Sequence, residues 1–521
     1  MTPRAATEAT VLGIDLGTGG VRAGLYSLAG TLLAAHEERL ATAHPRPGWA
    51  EQSPAQVLGG LHRAVAAVAA LAADSGAPPP AALCVASTAV SAVTVGDDDV
   101  PVGPSLLWMD TRAADEAAEI TRTRHPVLRY TGGQVSPEWM LPKALWLVRR
   151  DPSRYAAARR IVDVHDWVMF SLTGGWSLAQ ATIAAEWSYD PLAGSWPADL
   201  LSGLGVPGLL SGWEVPRLPP GAVAGRLTQQ AAESTGLPVG LPVVQGLMDS
   251  YAAALAADVY QPGRVAVSIG TSSSYLGLSA QLVPDPRLLG PVPEALGPGT
   301  IVQQGGQTSA AAVAEWFSRQ LAPGVPLAAL DAEAADIEPG ADGLWAVDTW
   351  QGCRTPHRNP AARGMWGGLA LAHTRAHLFR ATLESVAFGG RAVLETLEEA
   401  GVDARELVVT GGAARSSLWM QIHADVLGRP LLRLSAAQPV TLGAAMCAAV
   451  GAGWYPGLAT AGTAMSATGR AWLPDPERHQ AYQPLYANYL HRLAAVSSLD
   501  GPARSTPDQG AASRRARDGG R

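Results

Sequence analysis

Apolar and polar positions along the chain predict short strands broken by glycine turns, with longer helices between them. Val11-Leu12-Gly13-Ile14 is an apolar run that stops at Asp15-Leu16-Gly17-Thr18-Gly19-Gly20. Residues 21–28 then alternate as a strand does, and Gly30 opens another turn, so the start of the chain reads as a hairpin. Ser53-Pro54 opens a helical stretch to about residue 73, with Ser as N-cap and Pro at the first helical position.

The opening pattern returns downstream. Residues 265–274 again give an apolar strand, the Gly270-Thr271 turn and small residues, and the strand-like 275–278 follows. Two hairpins of one type, so far apart, predict two domains of related plan rather than a solenoid, whose repeats are much shorter. A third strand-to-turn point, residues 407–415, carries Gly411-Gly412-Ala413-Ala414-Arg415 and leads into a helix over 417–427. The last helix is predicted over about 484–497. From residue 498 onward the Gly, Ala, Ser, Arg and Asp composition reads as a disordered tail.

A length of 521 residues predicts two to four domains at about 150 residues each. Apolar residues make up 47%, and 57 Gly with 40 Pro stay under a fifth of the chain, which excludes a low-complexity protein. The net charge of −7 argues against nucleic acid as a partner, because the only tight basic cluster is Arg514, Arg515 and Arg517 in the tail. Cys84, Cys353 and Cys447 are too few and too scattered for a disulfide framework or a zinc cluster. The longest apolar stretch, residues 64–73, ends at Asp74 and reads as a buried helix rather than a membrane span. Arg4 and Glu8 run straight into the first strand and leave no room for a signal sequence, so the expected location is the cytoplasm.

A turn rich in Gly and Thr after a buried strand presents backbone N–H groups and a hydroxyl, for which phosphate oxygens are natural ligands. Asp15, just before the turn, is placed to hold Mg²⁺ through water or, alternatively, to satisfy turn amides. A Walker A loop is excluded, because the only lysine, Lys143, follows Pro142 and not Gly. A Rossmann fingerprint is disfavoured by the strand that follows the first turn. Asp249 lies between an apolar strand and a helix over 252–257, where it reads either as an N-cap or as a general base facing a cleft. His373 and His377 have metal-ligand spacing but lack the adjacent Glu of a zinc protease motif. Trp139, Trp146, Trp167 and Trp187 read as core, with one or two able to floor a sugar site.

Over residues 10–495 the sequence resembles the FGGY family of carbohydrate kinases. Residues 13–24 resemble that family's first phosphate motif, and Gly48-Trp49-Ala50-Glu51-Gln52 is typical of it. The pattern Gly364-x-Trp366-x-Gly368-Leu369, His377-Leu378 and Ala381-Thr382-Leu383-Glu384 is similar to its C-terminal signature. Gly411 to Ser416 resembles the adenosine motif, and Gly270-Thr271 the second phosphate motif. Trp108-Met109-Asp110-x-Arg112-Ala113, the segment from Gly132 to Lys143 and Gly352-x-Arg354-Thr355-Pro356 resemble the ribulokinase branch. Xylulose kinases usually place Gln-Met-His where this chain has Ala89-Val90-Ser91. Ribulose kinases usually carry a sugar-contacting Glu where Gln304 stands here.

The resemblance implies an α/β fold of two ribonuclease-H-like (actin-like ATPase) domains, 10–246 and 247–497, with a catalytic cleft between them. It implies ATP-dependent phosphorylation of the terminal hydroxyl of a pentulose, D-ribulose first, with ATP and Mg²⁺ as cofactors. L-ribulose, xylulose, polyols and a catalytically silent sugar sensor stay open. Asp249 is the implied base, serving also as cap, with its pKa lowered by the helix N-terminus. The implied sugar ligands are Ser91, Trp108, Asp110, Lys143, Asp249 and Gln304. The nucleotide would be held by Asp15, Gly17, Thr18, Gly19, Arg22, Gly270, Thr271, Gly411, Gly412, Ala413 and Arg415, with Asp15 serving Mg²⁺. The implied partners are a small sugar and ATP, with no nucleic acid, no membrane, and a homodimer as the candidate assembly.

Overall fold

Both predicted hairpins form. In the computed structural model, which describes residues 9–498, β1 (Thr10–Gly17) pairs antiparallel with β2 (Gly20–Ser27), and β2 with β3 (Leu32–Arg39). α1 (Pro54–Asp74) returns across this hairpin to β4 (Pro80–Ser87), which lies parallel to β1. Ser53 caps α1 by accepting from the Gln56 N–H, as its place before Pro54 predicts. β5 (Val223–Arg226) and β6 (Pro242–Val244) complete a six-stranded sheet ordered β5-β6-β4-β1-β2-β3. A smaller four-stranded sheet, built from short strands between Glu51 and Asp163, packs beside it.

After α2 (Asp249–Ala256) the plan repeats. β7 (Arg264–Ile269), β8 (Ser273–Leu278), β9 (Leu289–Pro293) and β10 (Ile301–Gln307) form antiparallel pairs. α3 (Arg375–Glu399) leads to β11 (Glu406–Thr410), which lies parallel to β7. α4 (Ser417–Leu427), β12 (Leu431–Leu434), α5 (Pro439–Gly451), β13 (Thr468–Trp472) and α6 (Pro476–Ser498) follow. The second sheet runs β9-β10-β8-β7-β11-β12-β13. The series β3-β2-β1-β4-β6 and β10-β8-β7-β11-β12 match in order and in relative direction. This is the duplicated α/β plan that the two hairpins predicted.

α1 is long and apolar enough to cross a membrane by length and composition alone. It lies instead along β2 and β3, with Val57, Leu61, Ala64, Val65 and Val68 in the core. α6 starts eight residues before the predicted helix and carries Pro484 inside it. Tyr482, Tyr486, Tyr489, Leu493 and Val496 recur at helical spacing and are buried, so their packing holds the helix through the proline. Residues 499–521, where a disordered tail was expected, lie outside the described residues.

Each sheet has its own core, and a third apolar cluster joins them. Its centre is α5, which comes from the second half of the chain yet packs on β1, β4 and α2. Backbone meets backbone there. A Cβ on Gly13 of β1 would lie 1.9 Å from the Thr441 carbonyl oxygen, and one on Gly443 of α5 would lie 2.0 Å from that of Ala252. No side chain fits at either position. Gly443→Val should therefore cost about 3 kcal/mol or more, read as a lower denaturation midpoint. An unchanged midpoint would refute this close approach.

Candidate active site

The site is built at the carboxyl edge of three parallel strands, where open α/β sheets usually bind ligands. The Thr88 N–H donates to the Leu16 carbonyl (3.1 Å) and the Ser87 N–H to that of Leu247 (3.2 Å). The ends of β1, β4 and the extension of β6 are thereby held side by side. They deliver the Gly17-Thr18-Gly19 turn, Thr88-Ala89 and Asp249 to one edge. Gln52 Nε2 donates to the Thr18 carbonyl at 2.6 Å, and Trp108 Nε1 to the Thr18 hydroxyl at 2.9 Å, so the turn is braced from both sides.

Two cavities meet at this edge. The larger, about 550 Å³, lies between the halves and is lined by Asp15, Gly17, Thr18, Gly19 and Arg22 from one side. Ser268, Ser272, Ser274 and Thr410 line it from the other. The second, about 380 Å³, is lined by Gln134, Ser136, Glu138, Trp139 and Glu186 of the first half and by Arg287, Thr308, Arg354 and Arg358 of the second. Six residues face both: Ala89, Trp108, Asp249, Ser250, Gln304 and Arg354.

Carboxylates dominate the electrostatics. Asp249 opens α2, where its Oδ1 accepts from the Ser250 N–H at 2.6 Å, and Met248 occupies the N-cap position. The expected lowering of its pKa by the helix N-terminus is overturned. Burial, and then the nearby Asp15 charge, push it up to about 7, outweighing the Ser250 N–H. Asp15 is buried and itself raised by burial, against the opposing pull of Arg22, whose Nη1 lies 3.1 Å from Asp15 Oδ2. Glu186 rises to about 8, through burial and then through Glu138, and its Oε2 has no protein partner among the described residues. Gln304 Nε2 donates to the Ser274 hydroxyl at 3.0 Å.

Three expected sugar ligands fall elsewhere. Lys143 is fully buried in the helix Met140–Arg150, and its Nζ donates to the carbonyls of Val90 (2.8 Å) and Leu107 (2.7 Å). It lines neither cavity, but it braces the backbone next to Ala89 and Trp108, which do. Burial lowers its pKa to about 8. Asp110, also fully buried, accepts from the Ala50 N–H at 2.7 Å and pairs with Arg112, which reaches Glu51 as well. It is scaffold. Ser91 lines only a small void behind the turn, and its N–H donates to Asp163. Of the expected sugar ligands, Trp108, Asp249 and Gln304 line both cavities.

On the nucleotide side, Asp15, Gly17, Thr18, Gly19 and Arg22 face the larger cavity directly. Gly270, Thr271, Gly411, Gly412, Ala413 and Arg415 do not line it, although their neighbours Ser268, Ser272 and Thr410 do. The rings of His373 and His377 are both engaged within the protein. The His377 ring closes a capping box with Thr374 and reaches Asp342, and no metal-ligating cluster occurs among the described residues. The signature spanning Gly364 to Glu384 is architectural. Trp366 Nε1 donates to the Thr382 hydroxyl, and Glu384 pairs with Arg380 and Tyr482. Sequence reasoning missed Glu186 as a site residue. Its signal was a lone carboxylate in the otherwise apolar run Ile183-Ala184-Ala185-Glu186-Trp187.

Two halves of one plan, closing on a cleft that joins a glycine-turn cavity to a polar cavity, define a small-molecule kinase. The models for the N-terminal and C-terminal domains of the FGGY family of carbohydrate kinases match residues 10–256 and 265–452. A ribulokinase of Mycolicibacterium smegmatis is 33% identical over 75% of this chain and 73% of its own length. An FGGY carbohydrate kinase domain-containing protein of Danio rerio is 30% identical over 94% and 99%. The crystal structure of xylulose kinase from Rhodospirillum rubrum superposes with a TM-score of 0.85 at 32% identity, covering 94% of this chain and 99% of that one. The chain belongs to the FGGY family of carbohydrate kinases, and it is a kinase enzyme.

The bracing role of Lys143 has a direct check. Lys143→Met leaves two buried carbonyls unpaired and should cost about 2–4 kcal/mol of stability. Retained stability together with a large rise in sugar KM would instead restore it as a ligand.

Proposed function

We propose that the protein transfers the γ-phosphoryl group of ATP to the terminal hydroxyl of a pentulose, with D-ribulose as the leading substrate. The observation that carries this is the position of Asp249, which faces both cavities. ATP would enter the larger one with its phosphates at the Gly17–Gly19 turn, whose backbone amides suit anionic oxygens. The sugar would occupy the polar one, where Trp108, Trp139, Gln304, Glu138 and Glu186 offer apolar faces and hydrogen-bonding groups. A carboxyl held neutral near pH 7, as Glu186 is by burial, can donate a hydrogen bond that a carboxylate cannot.

Phosphoryl transfer demands positioning more than covalent chemistry. Asp249 accepts the hydroxyl proton while the sugar oxygen forms its bond to phosphorus and the bond to the ADP oxygen breaks. A carboxylate raised to about 7 is a better base than an ordinary Asp and is still about half ionised at pH 7. The donor set also fits Mg²⁺. Asp15 supplies a hard carboxylate on the phosphate side, and one such oxygen donor suits an ion that keeps most of its water. Asp15 would hold it, and the ion would neutralise phosphate charge.

Asp249→Asn should lower kcat by about 10²–10⁴-fold with the sugar still bound. The base must be ionised, so kcat/KM should fall about tenfold per pH unit below about 7 and level off above it. A flat profile from pH 5.5 to 7.5 would remove Asp249 as the base. Coupled ADP release on D-ribulose, L-ribulose, D-xylulose, ribitol and glycerol tests the substrate. D-ribulose should give the highest kcat/KM, and a tenfold preference for another acceptor would overturn that choice.

A further inference from the structure

The cleft holds a guanidinium that nothing among the described residues engages. Arg354 is half-buried at the junction of both cavities, and among the described residues its side chain makes no ion pair and no hydrogen bond. The other cleft arginines are occupied. Arg287 pairs with Asp285 (2.6 Å) and Glu399 (2.7 Å), and Arg22 with Asp15 and Glu37. Arg358 Nη1 donates to the carbonyls of Thr131, Gly132 and Pro286.

The backbone that carries Arg354 is held firmly. The Thr355 N–H donates to the Gly306 carbonyl of β10 at 3.2 Å, and the Thr308 hydroxyl to that of Gly352 at 2.6 Å. The Arg358 N–H donates to the Arg354 carbonyl at 2.8 Å. A fixed loop thus presents an unpaired positive charge near Arg358, a second cation, at the junction of the cavities that Asp249 also lines. Like charges side by side at low solvent exposure call for an anion. A neutral sugar brings none, whereas the group being transferred does.

We propose that Arg354 is a catalytic residue that grips the phosphoryl group as it passes from ATP to the sugar hydroxyl, and then holds the phosphate of the product. This rests on the kinase reading of the same cleft. The sugar oxygen bonds to phosphorus, the bond to ADP breaks, and the hydroxyl proton goes to Asp249. Arg354 exchanges no proton. Its planar fork donates hydrogen bonds to the non-bridging phosphoryl oxygens, where charge collects during transfer. Because no acceptor among the described residues depends on it, its removal orphans none of them.

The test compares wild type with Arg354→Ala and Arg354→Lys on the best acceptor of the panel. Steady-state rates are combined with calorimetric Kd values for that acceptor and for its phosphorylated product. Arg354→Ala should lower kcat about 10³-fold, with sugar Kd changed by less than about threefold and product Kd weakened at least about tenfold. Arg354→Lys should recover only part of the loss, and added guanidinium ion should restore part of the Ala variant's turnover. The melting temperature should hold. Equal weakening of sugar and product would make Arg354 a sugar ligand, and a kcat within about threefold of wild type would leave it no role. Either result overturns the proposal. If the wild type accepts no pentulose, the substrate reading fails by itself, and Arg354 is judged on the acceptor that does work.

Discussion

The site depends on one contact, the packing of α5 against β1 and α2. Helix α5 lies so close to β1 and α2 that Gly13 and Gly443 have no room for a side chain. Around it Val11, Cys84, Val244, Leu255, Ala445 and Cys447 are fully buried, so residues distant in sequence form one apolar body. This packing fixes where β1 ends relative to the start of α2. Asp15 and Asp249 consequently face one cavity, near enough for the charge of the first to raise the pKa of the second.

Around this contact each half contributes something different. The first half provides a braced glycine turn and an acidic wall of Glu138 and Glu186. The second contributes Gln304 and a set of arginines, all but one of which are engaged by carboxylates or carbonyls. The cleft therefore sets carboxyl groups on one side against an unpaired guanidinium, among the described residues, on the other. In the proposed transfer Asp249 would take the hydroxyl proton while Arg354 would meet the phosphoryl oxygens.

Much of this was legible in the sequence. The hairpins, the helix over 417–427 and the cap at Ser53 follow from local patterns of apolar residues, glycine and proline, and they form where those patterns put them. Asp249 could be singled out because a strand-to-helix junction brings a first-turn carboxylate to a sheet edge. Lys143, Asp110 and Ser91 could not be placed correctly. Each lies within a few residues of the cavities, and nothing local tells whether such a side chain points into the cleft or beneath it. The answer came from partners distant in sequence: the Val90 and Leu107 carbonyls for Lys143, Ala50 for Asp110 and Asp163 for Ser91.

The most direct measurement of the central claim is a crystal structure with the sugar and an ATP analogue whose β–γ bridge cannot be cleaved. The account predicts the terminal hydroxyl within about 2.6–3.2 Å of an Asp249 carboxylate oxygen, with the γ-phosphorus on its far side. A sugar bound with that hydroxyl turned away from Asp249, or a nucleotide whose phosphates avoid the Gly17–Gly19 turn, would contradict it.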